Sequence, residues 1–214
     1  MIELVDTHAH LQFKDYGADL NKVLESAASA GVNKIIVPST DVETSVKGVE
    51  LAKTHANVWA AVGVHPHEAK NFTKVQLRLF RNMLDQDKPE QGNEKNIKSL
   101  IATKSQNPES RKLLRKIVAI GETGLDYYYE NSPRASQKQM LEAHLQLASD
   151  YDLPVIFHVR NAHQDFWPIF DNFSGVKGVL HSFSATKKEL GEALKRGLYV
   201  GLNGIMTFTK NQEQ

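Results

Sequence analysis

The sequence predicts an α/β protein of the (β/α)8 TIM-barrel class, and three observations predict it. Short apolar runs with strand character alternate with segments of helical periodicity along the chain. The strand runs are apolar throughout, as in parallel sheets covered by helices. Polar residues follow at least five of the seven predicted strands, whereas an open doubly wound sheet concentrates its chemistry at one crevice. A closed ring of strands therefore fits better than an open sheet.

The elements follow one another in a regular order. The seven predicted strands span residues 2–6, 34–38, 58–64, 117–121, 154–157, 178–180 and 198–202. Apolar residues at helical spacing predict the intervening helices, which include residues 20–28, 46–52, 72–83, 140–148 and 166–173. Asp41 is the expected N-cap of the second helix. Pro168 must lie in the first turn of its helix or kink it.

Two regions depart from this regularity within what we expect to be a single hydrolase domain over residues 1–214. Residues 85–116 form a mostly polar insertion between the third helix and the fourth strand, with two short helices as one possible arrangement. The sequence ends just after the seventh strand, so a ring of eight lacks its last strand and helix. We therefore expect a barrel that is incomplete at its C-terminus.

The composition sets limits on function and location. There is no cysteine, which excludes disulfides, thiolate metal sites and a cysteine nucleophile. No membrane span or signal sequence is evident, and we expect a cytoplasmic protein. A formal net charge of +1 argues against extensive wrapping of a nucleic acid, although a few local contacts to a strand end remain compatible with it. No protein partner is indicated.

Potential metal ligands stand where predicted strands end. They are His8, His10, Glu122, His158 and His181. Residues two apart in a strand share a face, and a parallel barrel gathers the ends of distant strands at one rim, so all of these side chains can meet. Imidazole nitrogen and carboxylate oxygen suit zinc, manganese or iron, and magnesium less well. The sequence thus predicts a hydrolytic site with one or two divalent metal ions (zinc, manganese or magnesium), with Glu122 as a possible bridge.

Other side chains near these motifs are candidates for substrate contact. His65 ends the third strand and is a candidate for catalysis or substrate binding, whereas nothing decides the role of His67. Arg160 shares a strand face with His158 and could bind a phosphate, although an ordinary salt bridge is equally compatible. Asp126 is expected to orient a ligand or to stabilise its loop. Residues 127–129 are three tyrosines that could stack a base, with loop packing expected for at least two.

Five motifs occur in a fixed order, namely DTHAHL, VGVHPHE, AIGETGLDYY, FHVR and LHSFS. Together they resemble the TatD family of metal-dependent hydrolases, within the wider amidohydrolase group, over nearly the whole chain. This resemblance implies a (β/α)8 barrel with a one- or two-metal site that hydrolyses phosphodiesters, typically as a deoxyribonuclease with exonuclease activity. It implies the same five ligands and a DNA substrate, expected to be single-stranded or to have frayed ends.

The sequence departs from the family at two positions. The last family ligand, an aspartate after strand eight, has no counterpart here, and Gln12 stands where members often carry an aspartate. Three functions therefore stay open. The first is a TatD-type DNase, the second is an ester or amide hydrolase for a small metabolite or aminoacyl group, and the third is a metal-binding but catalytically silent truncated form. An oxidoreductase is poorly supported because no Gly-rich phosphate loop follows a strand.

Overall fold

The computed structural model describes residues 3–87 and 115–204, which form one parallel sheet with helices between its strands. The strands pair in chain order, β1 to β7. They are β1 Leu4–Asp6, β2 Val32–Val37, β3 Val58–Val62, β4 Ile117–Asp126, β5 Val155–Arg160, β6 Gly178–Leu180 and β7 Tyr199–Val200. The helices are α1 Leu20–Ser29, α2 Val42–Thr54, α3 Lys74–Gln86, α4 Arg134–Tyr151, α5 His163–Phe170 and α6 Lys187–Lys195. Two 3-10 helices, Lys14–Asp19 and Pro66–Asn71, precede α1 and α3.

The sheet has two apolar faces, as the uninterrupted apolar strands predict. One face packs against the helices and belongs to the main core, in which Val37, Val62 and Phe157 are fully buried. The other face carries a smaller cluster built from successive strands: Ile36, Ala61, Ala119, Ile156 and Val179. Neighbouring residues of one strand fall in different clusters because side chains alternate across a strand.

The sheet is curled into a half-barrel, so strands distant in the order approach each other at one rim. The rings of His8, after β1, and His181, after β6, stack with centroids 4.1 Å apart although four strands separate β1 from β6 in the sheet. Large apolar side chains are exposed at both edges of the sheet, Leu4 and Val5 on β1 and Tyr199 on β7. The α/β barrel-type fold predicted from sequence is confirmed.

The observed strand ends differ from the predicted ones at β4 and β5. β4 was expected to end at Gly121 and β5 at Phe157, but pairing continues to Asp126 and Arg160. Glu122 and His158 therefore lie within strands and not in loops. The strand pair can continue because Gly121 and Gly124 adopt positive φ angles beside a shift in register, a conformation that favours glycine.

The helix ends follow the local sequence signals only in part. Asp41 caps α2 as predicted, with its side chain accepting a 2.7 Å hydrogen bond from the backbone N–H of Thr44. Pro168 lies inside α5 and not in its first turn. The predicted insertion at 85–116 falls almost wholly outside the described residues. The two short helices considered possible within it lie outside the described residues as well. In the described part of the chain, no helix has both the length and the apolar character needed to cross a membrane.

Candidate metal centre

Four imidazoles, carried by three strands or the residues just after them, surround the carboxylate of Glu122. One carboxylate oxygen lies 3.2 Å from Nε2 of His8 and 3.6 Å from Nε2 of His10. The other lies 3.1 Å from Nδ1 of His158 and also contacts Nε2 of His181. All five residues predicted as ligands are thus brought together, although they span positions 8 to 181 of the chain.

Backbone contacts fix the positions of these side chains. The N–H of Glu122 donates to the carbonyl of Ser39, after β2, at 2.7 Å, and the N–H of His181 donates to the carbonyl of Phe157 at 3.0 Å. At Gly124 a Cβ would lie 1.9 Å from the carbonyl oxygen of His158, so only glycine allows β4 and β5 to approach this closely. The GETG segment therefore positions Glu122 opposite His158.

Hydrogen bonds on the outer nitrogens orient two of the imidazoles. Nδ1 of His10 lies 3.0 Å from the carbonyl oxygen of Pro38, which can only accept, so this nitrogen carries the proton. Nε2 of His158 lies 2.8 Å from a carboxylate oxygen of Asp126. A neutral ring in either position presents its remaining lone pair to Glu122. This is how metal-binding histidines are usually held.

The electrostatics of the cluster favour positive charge around Glu122. Burial raises the pKa of this carboxyl, but hydrogen bonds from His158, His181 and His8 outweigh it, so the pKa lies well below its usual value. Burial lowers the pKa of His158, but hydrogen bonds to Asp126 and Glu122 raise it to about 9. Burial dominates at His10 and His181 and lowers the pKa of both. Glu122 is therefore a carboxylate at neutral pH.

The donor set fits a divalent metal. Nε2 of His8 and Nε2 of His10 approach to 3.2 Å, as do Nδ1 of His158 and Nε2 of His181. A shared cation or proton must lie between two facing imidazole lone pairs, because they otherwise repel. Among the residues that the structure describes, two sets of three donor atoms lie close enough together to hold a metal, one of His8, Glu122 and His181 and one of His65, Glu122 and His158. Both sets contain Glu122.

His65 differs from His10 and His158 in the ring nitrogen that faces Glu122. In His65 this nitrogen carries the proton of the neutral ring. Its Nδ1 accepts a 3.2 Å hydrogen bond from the backbone N–H of His67, so the neutral ring has its proton on Nε2. That nitrogen lies 3.6 Å from Glu122. Burial lowers the pKa of His65 to about 3, which keeps the ring neutral. Although distance alone groups His65 with a metal site, this hydrogen bond makes it an N–H donor towards the cluster.

Asp126 contacts the cluster through His158 and does not itself face Glu122. The sequence predicted that it either orients a ligand or stabilises its loop. One of its oxygens accepts from Nε2 of both His158 and His67, at 2.8 and 3.0 Å. The other accepts from the backbone N–H groups of Tyr128 and Tyr129, each at 2.9 Å. The carboxylate is completely buried, and these hydrogen bonds outweigh its burial and lower its pKa. Asp126 therefore orients His158 and also holds the loop.

Two contacts of the cluster had no clear signal in the sequence. His67, which sequence reasoning left undecided, shares the carboxylate of Asp126 with His158 and lies at the edge of the ring of Tyr129. Phe13 stacks on the ring of His10 with centroids 4.7 Å apart. The HPH motif could have indicated His67, because residues 65 and 67 follow the same strand, but nothing in the pattern singled out Phe13.

Arg160 lies beside the cluster, two residues beyond His158 on β5. Its guanidinium carbon is 3.9 Å from the ring centroid of Tyr128 and 4.8 Å from that of Tyr129. Within residues 3–87 and 115–204 the guanidinium forms no hydrogen bond or ion pair, so the salt bridge considered from sequence is not found in this part of the chain. Since no described residue occupies its N–H groups, they can bind an anion.

A curled parallel α/β sheet with imidazoles and a buried carboxylate at its C-terminal rim defines the metal-dependent hydrolases of the barrel class. The sequence profile of one such family, described as TatD related DNase, matches residues 5–214. The chain belongs to this family. It is therefore a TatD-family metal-dependent hydrolase.

Individual relatives agree with this assignment. The chain is 31% identical to the uncharacterized metal-dependent hydrolase YabD of Bacillus subtilis, covering 96% of this chain and 70% of that protein. It is 31% identical to a protein of Enterobacter lignolyticus named 3'-5' ssDNA/RNA exonuclease TatD, covering 94% and 67%. The crystal structure of YjjV, a TatD homologue of Escherichia coli, superposes with a TM-score of 0.78 at 29% identity, covering 95% of this chain and 69% of that chain.

Proposed function

We propose that this chain hydrolyses phosphodiester bonds at the ends of single-stranded nucleic acid, using divalent metal held around Glu122. The observation that carries the proposal is the convergence of four imidazoles on this one buried carboxylate. Five groups brought from distant segments to one point, each with a ring nitrogen or carboxylate oxygen facing inwards, have the chemistry of a cation-binding site more than of a packing motif.

The proposed ligands fall into two groups that share Glu122. His8 and His10 face one oxygen of the carboxylate, and His158 and His181 face the other. Four imidazoles favour zinc or manganese over magnesium, because magnesium prefers oxygen ligands. A divalent metal at such a site polarises the phosphoryl oxygen and makes water more acidic. With Glu122 between the two groups, the site has room for one or two ions.

The remaining groups of the site act on the substrate directly. Nε2–H of His65 is directed to the oxygen of Glu122 that also faces His158, so it can donate to a phosphoryl oxygen placed there. Arg160 offers a planar guanidinium whose N–H groups are unpaired among the described residues, and a phosphate accepts from such a group in bidentate fashion. Both residues are thus proposed to bind and orient the phosphodiester, and His65 also to stabilise the charge that develops on it.

The substrate class is proposed from chemistry and from relatives together. Several relatives at 27–31% identity are named 3'-5' ssDNA/RNA exonuclease TatD. An end-directed exonuclease needs only a few contacts close to the reacting phosphate, which suits a chain with a net charge of +1. We therefore propose single-stranded DNA or RNA, degraded from the 3' end, as the substrate. A cytoplasmic location stays a prediction.

A direct test incubates the purified chain with zinc, manganese or magnesium and single-stranded DNA labelled at one end, beside the matching duplex and a panel of small carboxylic esters. We expect a ladder of products from the 3' end of the single strand, weaker activity on the duplex, and no products after treatment with a chelator. Hydrolysis of esters but not of DNA would support the small-molecule alternative. Full metal stoichiometry without hydrolysis of any substrate would support the catalytically silent form.

A further inference from the structure

A second cleft, of about 540 Å³, lies next to the candidate metal centre, between the loops that follow β5 and β6. Its lining begins one residue beyond His158, at Val159, and three residues beyond His181, at Ser184. Its volume is in the range of small-ligand sites. Because both of its walls continue directly from strands that carry proposed ligands, a substrate held at the centre extends naturally into this cleft.

One wall of the cleft is a stack of cationic and aromatic groups. Arg160 lies over the ring of Tyr128, which is 57% exposed, and also close to the ring of Tyr129. Tyr129 in turn contacts the edge of the His67 ring. Planar, exposed groups of this kind accept a nucleobase of any type against their faces. This differs from Tyr127, whose hydroxyl is bound to Asp165 at 2.8 Å and whose ring packs against the core.

The rest of the cleft lining includes an acidic side chain and a buried imidazole. Glu189 also lines the cleft, with one carboxylate oxygen accepting a 2.8 Å hydrogen bond from the indole N–H of Trp167. His163, 9% exposed, lies against Trp167 and Phe183, and its Nε2 has no hydrogen-bond partner among the described residues. A cleft lined by both a cationic and an anionic side chain does not favour a second phosphate. It suits an uncharged planar group with hydrogen-bonding edges.

We infer that this cleft binds the base of the nucleotide that adjoins the scissile phosphate, with the base stacked on the wall formed by Tyr128 and Arg160. The inference rests on the proposed function, because it requires a nucleic-acid substrate. In this arrangement Arg160 has two contacts: its N–H edge faces the phosphate and its planar face supports the base. Tyr128 is then a positioning residue for substrate binding, distinct from the groups that surround Glu122.

The experiment removes the base and the tyrosine side chain separately and together. Fluorescence anisotropy measures the binding of short, labelled single-stranded oligothymidylates with phosphorothioate linkages, which slow cleavage, in the presence of manganese. One probe is intact, and in each of the others one residue near the 3' end is replaced by an abasic sugar. The proteins are the wild type, Tyr128→Leu, and Tyr128→Phe, which keeps the ring. Tyr199→Leu, at a tyrosine on β7 that is even more exposed, is the control.

We expect Tyr128→Leu to weaken binding of the intact probe by about tenfold, and Tyr128→Phe and Tyr199→Leu to leave it nearly unchanged. One abasic position should weaken wild-type binding by a similar factor, and with that probe the wild type and Tyr128→Leu should bind equally well. Equal weakening of every probe by Tyr128→Leu, or no weakening at all, would overturn the inference.

The outcomes separate this inference from the proposed function. If the wild type degrades single-stranded DNA but shows no coupling between Tyr128 and any base, the cleft assignment is wrong and the nuclease assignment stands. If the wild type neither binds nor degrades any oligonucleotide, both assignments are wrong. Circular dichroism of Tyr128→Leu shows whether the fold is retained, which we expect because most of this side chain is exposed.

Discussion

The imidazole of His144 in α4 and those around Glu122 are all largely withdrawn from solvent, but they use their nitrogens differently. Both ring nitrogens of His144 form hydrogen bonds with the backbone: Nδ1 donates to the carbonyl of Met140 at 2.8 Å and Nε2 accepts from the N–H of Val64 at 3.1 Å. At the cluster, His10 and His158 each have one outward nitrogen anchored and direct the other towards Glu122.

The difference shows that burial alone does not mark a functional histidine. Burial lowers the pKa of His144 to about 4, and burial also lowers the pKa of His10. What separates them is the second nitrogen, which in His144 is satisfied by the chain itself. A histidine that ties two backbone segments together stabilises the fold, whereas one whose second lone pair converges with others is available to a cation.

The largest effect that this comparison predicts is at Glu122. We expect Glu122→Gln to lower hydrolysis of single-stranded DNA by about a thousandfold, because an amide of the same shape removes the charge that both ligand groups share. Initial rates with saturating manganese, and bound metal measured by mass spectrometry, provide the test. Glu142→Gln, at an exposed position of α4, is the control and should keep full activity. A hydrolysis rate for Glu122→Gln near that of the wild type would show that Glu122 is not a shared metal ligand.

A smaller effect is expected at Asp126, which supports His158 and does not face the cation. Asp126→Asn can still occupy the space, but its amide no longer fixes the proton on Nε2 of His158. Metal affinity should fall about 10- to 100-fold. Competition with a fluorescent chelator measures this loss, and Asp150→Asn, on the surface of α4, is the matched control. Unchanged affinity in Asp126→Asn would mean that Asp126 only holds its loop.

The smallest predicted effect concerns His144 and the stability of the fold. Its pKa is about 4 in the folded chain against 6.5 for an unperturbed histidine. Between these values the unfolded chain binds a proton that the folded chain does not, so the free energy of unfolding must fall as the pH falls. From pH 7 to pH 5 the contribution of His144 is a loss of roughly 2 kcal/mol.

Urea denaturation of the wild type and of His144→Leu at both pH values isolates this contribution. The variant should be less stable at pH 7, because the N–H of Val64 loses its acceptor, but its stability should depend less on pH by about 2 kcal/mol. Metal affinity at pH 7 should not change, since His144 does not contact the cluster. If His144→Leu changed the metal affinity but left the pH dependence of stability unaltered, His144 would belong to the metal site and would not have the structural role assigned to it.

The order of strands and helices, and the side chains that meet at the rim, could be predicted from the sequence. Apolar runs and helical spacing depend on neighbours close in the chain, and the C-terminal ends of parallel strands must share one edge. Hence His8, Glu122 and His181 could be grouped before any coordinates were known. His144 falls inside the predicted helix that includes residues 140–148 and is not among the predicted ligands, and its two backbone hydrogen bonds tie separate parts of the fold together.

Tertiary structure alone decided where β4 and β5 end, which proton His65 carries, and that Arg160 lies on Tyr128 and not on a carboxylate. Each depends on atoms brought together from separate segments: the close approach of β4 to β5 at Gly124, the N–H of His67 beside an imidazole nitrogen, and an exposed ring beneath a guanidinium. The sequence determined which chemical groups reach the rim, because strand periodicity is local. Packing determined how each group is oriented and protonated, because hydrogen bonds between distant segments form only when the chain has folded.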